Sequence, residues 1–159
     1  MIQENPFMGF TISRKQKDVE FLTQEEVARI RCAYMPSVNL ERIRDLFLFQ
    51  CYTALSYCDM AALKPSDFKT NDMGYIYIDG VRLKTKVKFI AILFEDAIYI
   101  AKKYDYKLPI ISNQRYNTNL KILADICGIK KPLHTHIGRH TAACYLLNKG
   151  LGLDIVARI

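Results

Sequence analysis

The stretch from Leu40 to Leu55 constrains the fold more than any other part of the chain. Its apolar residues recur at α-helical spacing, and in its second half, LFLFQCYTAL, they leave almost no polar face. A helix that is apolar on nearly every side is stable only when other elements enclose it. The sequence therefore predicts a domain packed around this helix, and 159 residues are enough for one such domain.

Helical patterns on both sides of this stretch supply the elements that would enclose it. The segment TQEE, from Thr23 to Glu26, is a capping box at the start of a helix that reaches about residue 33. Further helices are predicted at about residues 59–63, 95–103, 113–127 and 137–149. Gly128 and Gly150 are suited to ending the last two. Residues 154–159 have the pattern of the first turns of another helix.

The clearest β pattern lies between Tyr75 and Phe94. Within it, the pair Asp79-Gly80 is typical of a type I′ turn that joins two strands. A second bend at about residues 84–86 would give three strands, and the sequence leaves both arrangements open.

The net charge of +7 favours a polyanionic partner. Two basic clusters carry much of it: Arg14, Lys15 and Lys17 form the first, and Arg82, Lys84, Lys86 and Lys88 form the second. The second cluster has period two, so on a strand its four side chains would leave the same face. The intervening apolar residues, Val81, Leu83, Val87 and Phe89, would fill the buried face.

Nothing in the sequence indicates a membrane or a secretory pathway. No apolar run reaches the ~18 residues of a membrane-spanning helix, and the N-terminus MIQENPFMGF lacks the basic flank and apolar stretch of a signal peptide. The five cysteines are scattered and odd in number, which is typical of reduced core thiols. We therefore expect a cytoplasmic protein without a membrane partner.

The segment LHTHIGRHT crowds three histidines and an arginine at the start of a predicted helix. His136 and His140 have the spacing of zinc ligands on a helix, but Ile137 stands where the HExxH pattern has its glutamate. Arg139 would also bring a positive charge beside the metal. Because an arginine is unfavourable at the positive end of a helix, a bound anion would compensate for it, and helix starts are natural phosphate sites.

His136 to Thr141, HIGRHT, resembles the H-x-x-R-H-T motif of the tyrosine recombinases, the integrases of phages and conjugative transposons. Other stretches resemble that family in the same order: Leu22–Val27 its catalytic-domain opening, Thr53–Leu63 its T-G-L-R-x-x-E-L box, and Leu83–Thr85 the hairpin with its catalytic lysine. The resemblance covers nearly the whole chain from about residue 20. It implies a mixed, predominantly α fold with a small antiparallel β-sheet at one edge.

The resemblance also implies a domain division. Residues 1–20, with NPF and RKQK, are similar to the linker or arm that follows an N-terminal core-binding domain, which would precede residue 1. Residues 21–159 correspond to a catalytic domain truncated before the family's third basic motif and its nucleophilic tyrosine. None of the ten tyrosines stands in the motif of that nucleophile.

In this family a tyrosine attacks a DNA phosphodiester and forms a 3′-phosphotyrosine, without a metal or another cofactor. The resemblance assigns Arg139 to clamping the phosphate, His136 to donating a hydrogen bond or a proton to it, and Lys84 to protonating the leaving 5′-oxygen. Asp59 matches the acidic position that orients its neighbours, although a carboxylate near a helix start also suits that place by itself. His140 belongs to the same motif in a supporting role.

One position departs from the family pattern. Ser56 stands where the family usually has its first arginine, so the expected site loses one cationic group. Arg82, Lys86 or another basic residue could compensate, and the sequence does not choose among them.

The resemblance implies that a parent protein cleaves and rejoins double-stranded DNA during integration or excision of a mobile element, together with other integrase protomers. The basic residues of both clusters are then candidates for DNA contact. The alternative is a non-catalytic DNA-binding protein that keeps the integrase scaffold. A metal-binding regulator built on His136 and His140 is a weaker third possibility.

Overall fold

The computed structural model of the protein describes residues 20–152. The basic cluster of Arg14, Lys15 and Lys17 lies outside the described residues, as do nearly all of the linker expected at 1–20 and the helix expected at 154–159.

Six helices form most of the described part of the chain. They are α1 (Gln24–Cys32), α2 (Val38–Thr53), α3 (Tyr57–Ala62), α4 (Glu95–Lys103), α5 (Asn113–Ile126) and α6 (Thr135–Asn148). A single 3₁₀ turn covers Pro65–Asp67. The capping box is confirmed, because the Thr23 hydroxyl accepts from the Glu26 amide at 3.2 Å and the Thr23 amide donates to the Glu26 carboxylate at 2.8 Å.

Helix α2 is the centre of the fold, as its sequence predicts. Every residue from Asp45 to Thr53 is buried, and α1, α4, α5 and α6 all pack against this helix. Its two strongly polar core residues have partners: Asp45 accepts from Lys103 at 2.6 Å, and the Gln50 amide donates to the Leu55 carbonyl at 3.1 Å. Both buried polar side chains therefore have hydrogen-bond partners, as polar groups on an enclosed helix require.

Helix α6 lies close against α2 because it has a glycine at the crossing. A Cβ on Gly138 would lie 3.3 Å from the Phe47 ring and 3.4 Å from the Gln50 Cβ. One turn later the Thr141 hydroxyl donates to the Ile137 carbonyl and accepts from the Leu22 amide at 2.9 Å. These contacts fix the position of the helix that carries the HIGRHT motif.

A three-stranded antiparallel sheet completes the fold, in the order β1 (Phe68–Thr70), β2 (Ile76–Val81) and β3 (Lys88–Ile92). Its buried face, with Ile78, Phe89 and Ala91, belongs to the same core as the helices. The predominantly α fold with a small antiparallel sheet is confirmed.

The turn between β2 and β3 lies at residues 82–87, and the expected turn at Asp79-Gly80 is wrong. Both residues continue strand β2, where Gly80 pairs with Phe89. A Cβ on Gly80 would lie 2.7 Å from the Phe89 ring, so the glycine makes room for an aromatic side chain across the strand. The bend at 84–86 is confirmed, and the residue with positive φ near it is Lys86, at 58°.

The expectation of a basic strand face is wrong for the same reason. Arg82, Lys84 and Lys86 lie in the turn, and only Lys88 lies in a strand. Of the four apolar residues expected on the buried face, only Phe89 is buried, whereas Val81, Leu83 and Val87 are about half exposed, at 51%, 46% and 59%. Alternation in a sequence cannot distinguish a strand from a turn whose residues happen to alternate.

The expectation of core thiols holds only in part. Cys51 and Cys127 are buried, but Cys32 and Cys58 are exposed. Within residues 20–152, no helix combines the length and the hydropathy that a membrane crossing needs.

Candidate anion-binding site

The HIGRHT motif forms the beginning of α6. His134 precedes the helix as its N-cap, and its Nδ1 atom accepts from the Ile137 amide at 3.3 Å. The Thr135 amide donates to the Asn117 side chain on α5 at 3.4 Å, which joins the starts of two helices. His136 is exposed in the first turn of α6, and Arg139 is half-buried about one turn along. His140 is exposed on the following position.

Asp59 is the centre of a polar cluster at the start of α3. It is buried, with 6% of its surface exposed. The Ser56 hydroxyl caps α3 by accepting from the Asp59 amide at 3.2 Å and donates to Asp59 Oδ2 at 2.8 Å. Arg82 Nη1 donates to the same Oδ2 atom at 3.1 Å, and the Leu83 amide donates to Oδ1 at 2.9 Å. One carboxylate therefore joins the start of α3 to the turn between β2 and β3.

Arg82 is held on two sides. Its side chain is 13% exposed, and its guanidinium lies over the Phe89 ring, 5.1 Å from the ring centroid. This is a favourable environment for a guanidinium, because the carboxylate pairs with its positive charge and the aromatic ring stacks on its planar face.

Arg139 interacts electrostatically with this cluster. Burial lowers the pKa of Arg139, the positive charge of Arg82 lowers it further, and the carboxylate of Asp59 raises it. The two arginines are therefore near enough to each other, and to Asp59, to influence one another. A lowered pKa means that the surroundings disfavour the positive charge of Arg139, so an anion bound there would gain more than at an exposed arginine.

Lys84 lies in the turn that Asp59 anchors and is exposed. The turn is closed by the Arg82 amide, which donates to the Val87 carbonyl, and by the Lys86 amide, which donates to the Arg82 carbonyl, both at 2.9 Å. Lys86 and Lys88 are exposed on the same turn and the following strand. The base of the turn is thus fixed while its lysine side chains remain accessible to a ligand.

The structure joins Ser56, Asp59 and Arg82 by hydrogen bonds, and Arg139 interacts electrostatically with Arg82 and Asp59. Lys84 lies on the attached turn, and His136 and His140 lie on the helix that carries Arg139. The sequence alone missed the contacts of Asp59 with Arg82 and Leu83, because 23 and 24 residues separate these partners along the chain. No local pattern connects positions so far apart.

The tyrosines closest in sequence to these motifs have other partners. The Tyr145 hydroxyl donates to Asp96 at 3.1 Å, and its ring packs on Tyr52 with 4.8 Å between centroids. Burial raises the pKa of Tyr145, and the charge of Asp96 raises it further. The Tyr57 hydroxyl donates to the Ile111 carbonyl at 2.5 Å, which joins the start of α3 to the segment before α5.

The residues from 20 to 152 hold no group of three or more histidine, cysteine, aspartate or glutamate side chains that could bind a metal ion. His134 and His136 have ring centroids 6.1 Å apart. The arrangement is cationic and rich in hydrogen-bond donors, which suits an anion such as a phosphate.

The sequence of the chain is similar to that of a curated protein. No family model matches the chain. One curated relative, "Tyrosine recombinase" of Thermosipho africanus (strain TCF52B), is 26% identical over an alignment of 176 residues that covers 100% of this chain. That alignment covers 59% of the relative, so the chain spans less than two thirds of the length of the protein it matches.

Solved structures share the fold. The XerA recombinase superposes with a TM-score of 0.60 at 20% identity, over 87% of this chain and 55% of that one. The XerH site-specific recombinase, solved with its difH substrate in a pre-cleavage complex, gives 0.69 at 17% identity, over 94% and 49%. The FLP recombinase in a Holliday junction complex gives 0.50 at 19% identity, over 82% and 41%.

Proposed function

We propose that this chain is a member of the tyrosine recombinases, to one of which its sequence is similar, and that it forms the phosphate-binding part of a site-specific DNA recombinase. The complete enzyme would cleave and rejoin double-stranded DNA through a 3′-phosphotyrosine during integration or excision of a mobile element. Other copies of the protein would be its partners in the assembled complex.

The observation that carries the proposal is the ion pair of Arg82 with Asp59, together with its electrostatic interaction with Arg139 on α6. Attack on a phosphodiester adds negative charge to the phosphate oxygens, and without a metal that charge has to be met by fixed cations and hydrogen-bond donors. A guanidinium suits the task because its planar fork can bind two oxygens together. The positive end of the α6 dipole acts in the same direction.

The remaining roles are proposed from the family resemblance, and the exposure of the side chains supports them. His136, in the first turn of α6, would donate a hydrogen bond to the same phosphate. Lys84 would protonate the leaving 5′-oxygen, since it extends from a turn whose base is fixed by Asp59. Lys86 and Lys88, exposed beside it, would contact the DNA backbone. We propose DNA contact for Arg14, Lys15 and Lys17 from their charge alone.

A second function has one observation in its favour. Ser56 replaces the usual first arginine and serves as the N-cap of α3, so the position has a structural use that does not need catalysis. A non-catalytic DNA-binding protein with the integrase scaffold would also bind DNA through this surface, but its binding would not depend specifically on Arg139.

Binding of a fluorescent 20-base-pair duplex to the 159-residue chain tests the proposal. We expect weak, nearly sequence-independent binding whose log–log salt slope is near −5 if about six phosphates are neutralised. Arg139→Ala should weaken binding about tenfold or more, as the loss of a charged hydrogen-bonded contact does. The melting temperature should change little, because Arg139 is half-buried outside the main core.

Arg42→Ala is the matched control, because Arg42 is an exposed arginine on α2 and its loss removes the same charge. Equal losses for the two variants would leave the non-catalytic binder as the better account. In any longer form of the protein that forms a covalent adduct with DNA, Arg139→Ala should also lower the rate by about 10²–10³.

A further inference from the structure

We propose that Arg82 supplies the second guanidinium of the phosphate site, in place of the arginine that the family usually has at position 56. This inference rests on the proposed function and answers a question that the sequence left open between Arg82, Lys86 and other basic residues.

Arg82 lies beside position 56. The Ser56 hydroxyl and the Arg82 guanidinium bind the same oxygen of Asp59, at 2.8 and 3.1 Å. The charge of Arg82 therefore lies directly beside the start of α3, next to the side chain that the departure concerns. An arginine at position 56 would begin its side chain at this point, so the two residues give a guanidinium access to the same neighbourhood from different elements.

The Arg82 side chain is held rigidly. Arg82 is 13% exposed, is bound to a buried carboxylate and lies over the Phe89 ring. Its backbone amide and carbonyl both take part in the hydrogen bonds that close the turn. A charge held in place before the substrate arrives stabilises a transition state without reorganising, whereas an exposed lysine first has to lose its conformational freedom. Lys86 is exposed, so its charge is less well held in place than that of Arg82.

Arg82 also interacts electrostatically with Arg139. The charge of Arg82 disfavours the charge of Arg139, and Asp59 offsets part of that effect. A pair of guanidiniums held near one another gains from an anion that contacts both, because the anion removes their mutual repulsion as well as pairing with each. A purely structural Arg82–Asp59 ion pair would not need Arg139 nearby.

The test compares variants of the 159-residue chain in binding a fluorescent 20-base-pair duplex at fixed salt. Arg82→Ala should raise the Kd about tenfold or more, because a charge-assisted, preorganised contact is lost. Lys86→Ala removes the same charge from the same turn and should raise it only about two- to threefold. Arg82→Lys should fall between the wild type and Arg82→Ala, since the charge remains but the fork is lost.

The double variant Ser56→Arg with Arg82→Ala is the sharper experiment. If the two positions serve one phosphate, the new arginine should restore a large part of the affinity that Arg82→Ala loses. The same Ser56→Arg change in the presence of Arg82 should bring no gain, because the place is already occupied and the serine cap of α3 is removed.

The outcomes separate this inference from the function on which it rests. If Arg82→Ala and Lys86→Ala have equal Kd values while Arg139→Ala still binds the duplex weakly, the role of Arg82 is overturned. The proposed function would then still stand. No effect of Arg139→Ala would contradict the proposed function itself. Thermal melting identifies a variant that does not fold. If Arg82→Ala fails to fold, Arg82→Lys decides: a several-fold loss supports the inference, and wild-type affinity overturns it.

Discussion

At the scale of single residues, Asp59 and Ser56 have two uses at once. The sequence left Asp59 either as a residue that orients its neighbours or as a carboxylate suited to a helix start, and the structure shows it at a helix start with hydrogen bonds to a neighbouring element. It lies in the first turn of α3, and it binds Arg82 and the Leu83 amide. Ser56, which the family pattern marks only as a missing arginine, caps that helix and binds the same carboxylate. A departure from a motif can therefore have its own structural purpose.

His134 gives a prediction about pH. Its Nδ1 atom can cap α6 only while it carries no proton, because it accepts from the Ile137 amide. Burial lowers the pKa of His134 below its ordinary value of 6.5, His136 and His140 lower it further, and Glu20 opposes them. The unfolded chain, whose His134 pKa is about 6.5, therefore binds this proton more readily than the folded one, so stability is lost as pH falls through 6.5 toward the lowered pKa of the folded state.

The measurement is the melting temperature across that range. In His134→Asn the fall should be smaller, because asparagine caps a helix well and does not titrate. His140→Asn, which removes an exposed histidine from the same helix, should keep most of the fall. Equal pH dependence in His134→Asn and the wild type would show that the cap does not control it.

At the scale of elements, the contact between α2 and α6 predicts the effect of Gly138→Ala. Alanine usually gains about 1 kcal/mol over glycine in a helix. Here the new Cβ would lie 3.3 Å from the Phe47 ring and 3.4 Å from the Gln50 Cβ. Phe47 is fully buried, and Gln50 is hydrogen-bonded to Leu55 and Tyr116, so neither moves easily.

We expect crowding, which typically costs about 1–3 kcal/mol in a packed interior, to outweigh the gain. The variant should unfold at a lower denaturant concentration. DNA binding should also weaken, because Arg139 is the next residue on the helix that the new methyl group displaces. A higher unfolding midpoint would show instead that helix propensity outweighs the contact.

The helices could be predicted from the sequence better than the sheet could. Helix positions were predictable because their signals are local: a capping box at Thr23, and an apolar period through α2. The sheet was not fully predictable, because its turn is fixed by distant contacts. Gly80 is explained by Phe89 across the strand, and the turn is held by Asp59 on another element. Strand β1, with only three residues, is too short to give a period. The roles of the site residues remain predictions.

At the scale of the whole molecule, the starts of three helices are joined to one another by side-chain hydrogen bonds. Tyr57 on α3 binds the Ile111 carbonyl before α5, and Asn117 on α5 binds the Thr135 amide at the start of α6. Each helix start contributes partial positive charge. Together with a net charge of +7, this arrangement favours an extended polyanion over a small isolated anion.

The last prediction concerns covalent chemistry by the 159-residue chain. All ten tyrosines lie within the described residues, and we assign the nucleophile to none of them. Tyr145 shares α6 with Arg139, but its hydroxyl donates to Asp96, and burial together with that carboxylate raises its pKa. Because attack on phosphorus needs a deprotonated or readily deprotonated hydroxyl, these contacts make Tyr145 a poor nucleophile.

We therefore expect the chain to bind a nicked duplex that traps cleaved intermediates without becoming covalently attached to it. Denaturing electrophoresis of the labelled duplex measures this directly, since only a covalent adduct retains the label on the protein. Arg139→Ala serves as the control, because it should remove any adduct that depends on the phosphate site. An Arg139-dependent adduct would contradict the assignment, and Tyr145→Phe would then be the first variant to test. If that variant abolished the adduct, the Tyr145–Asp96 contact would have to open on DNA binding.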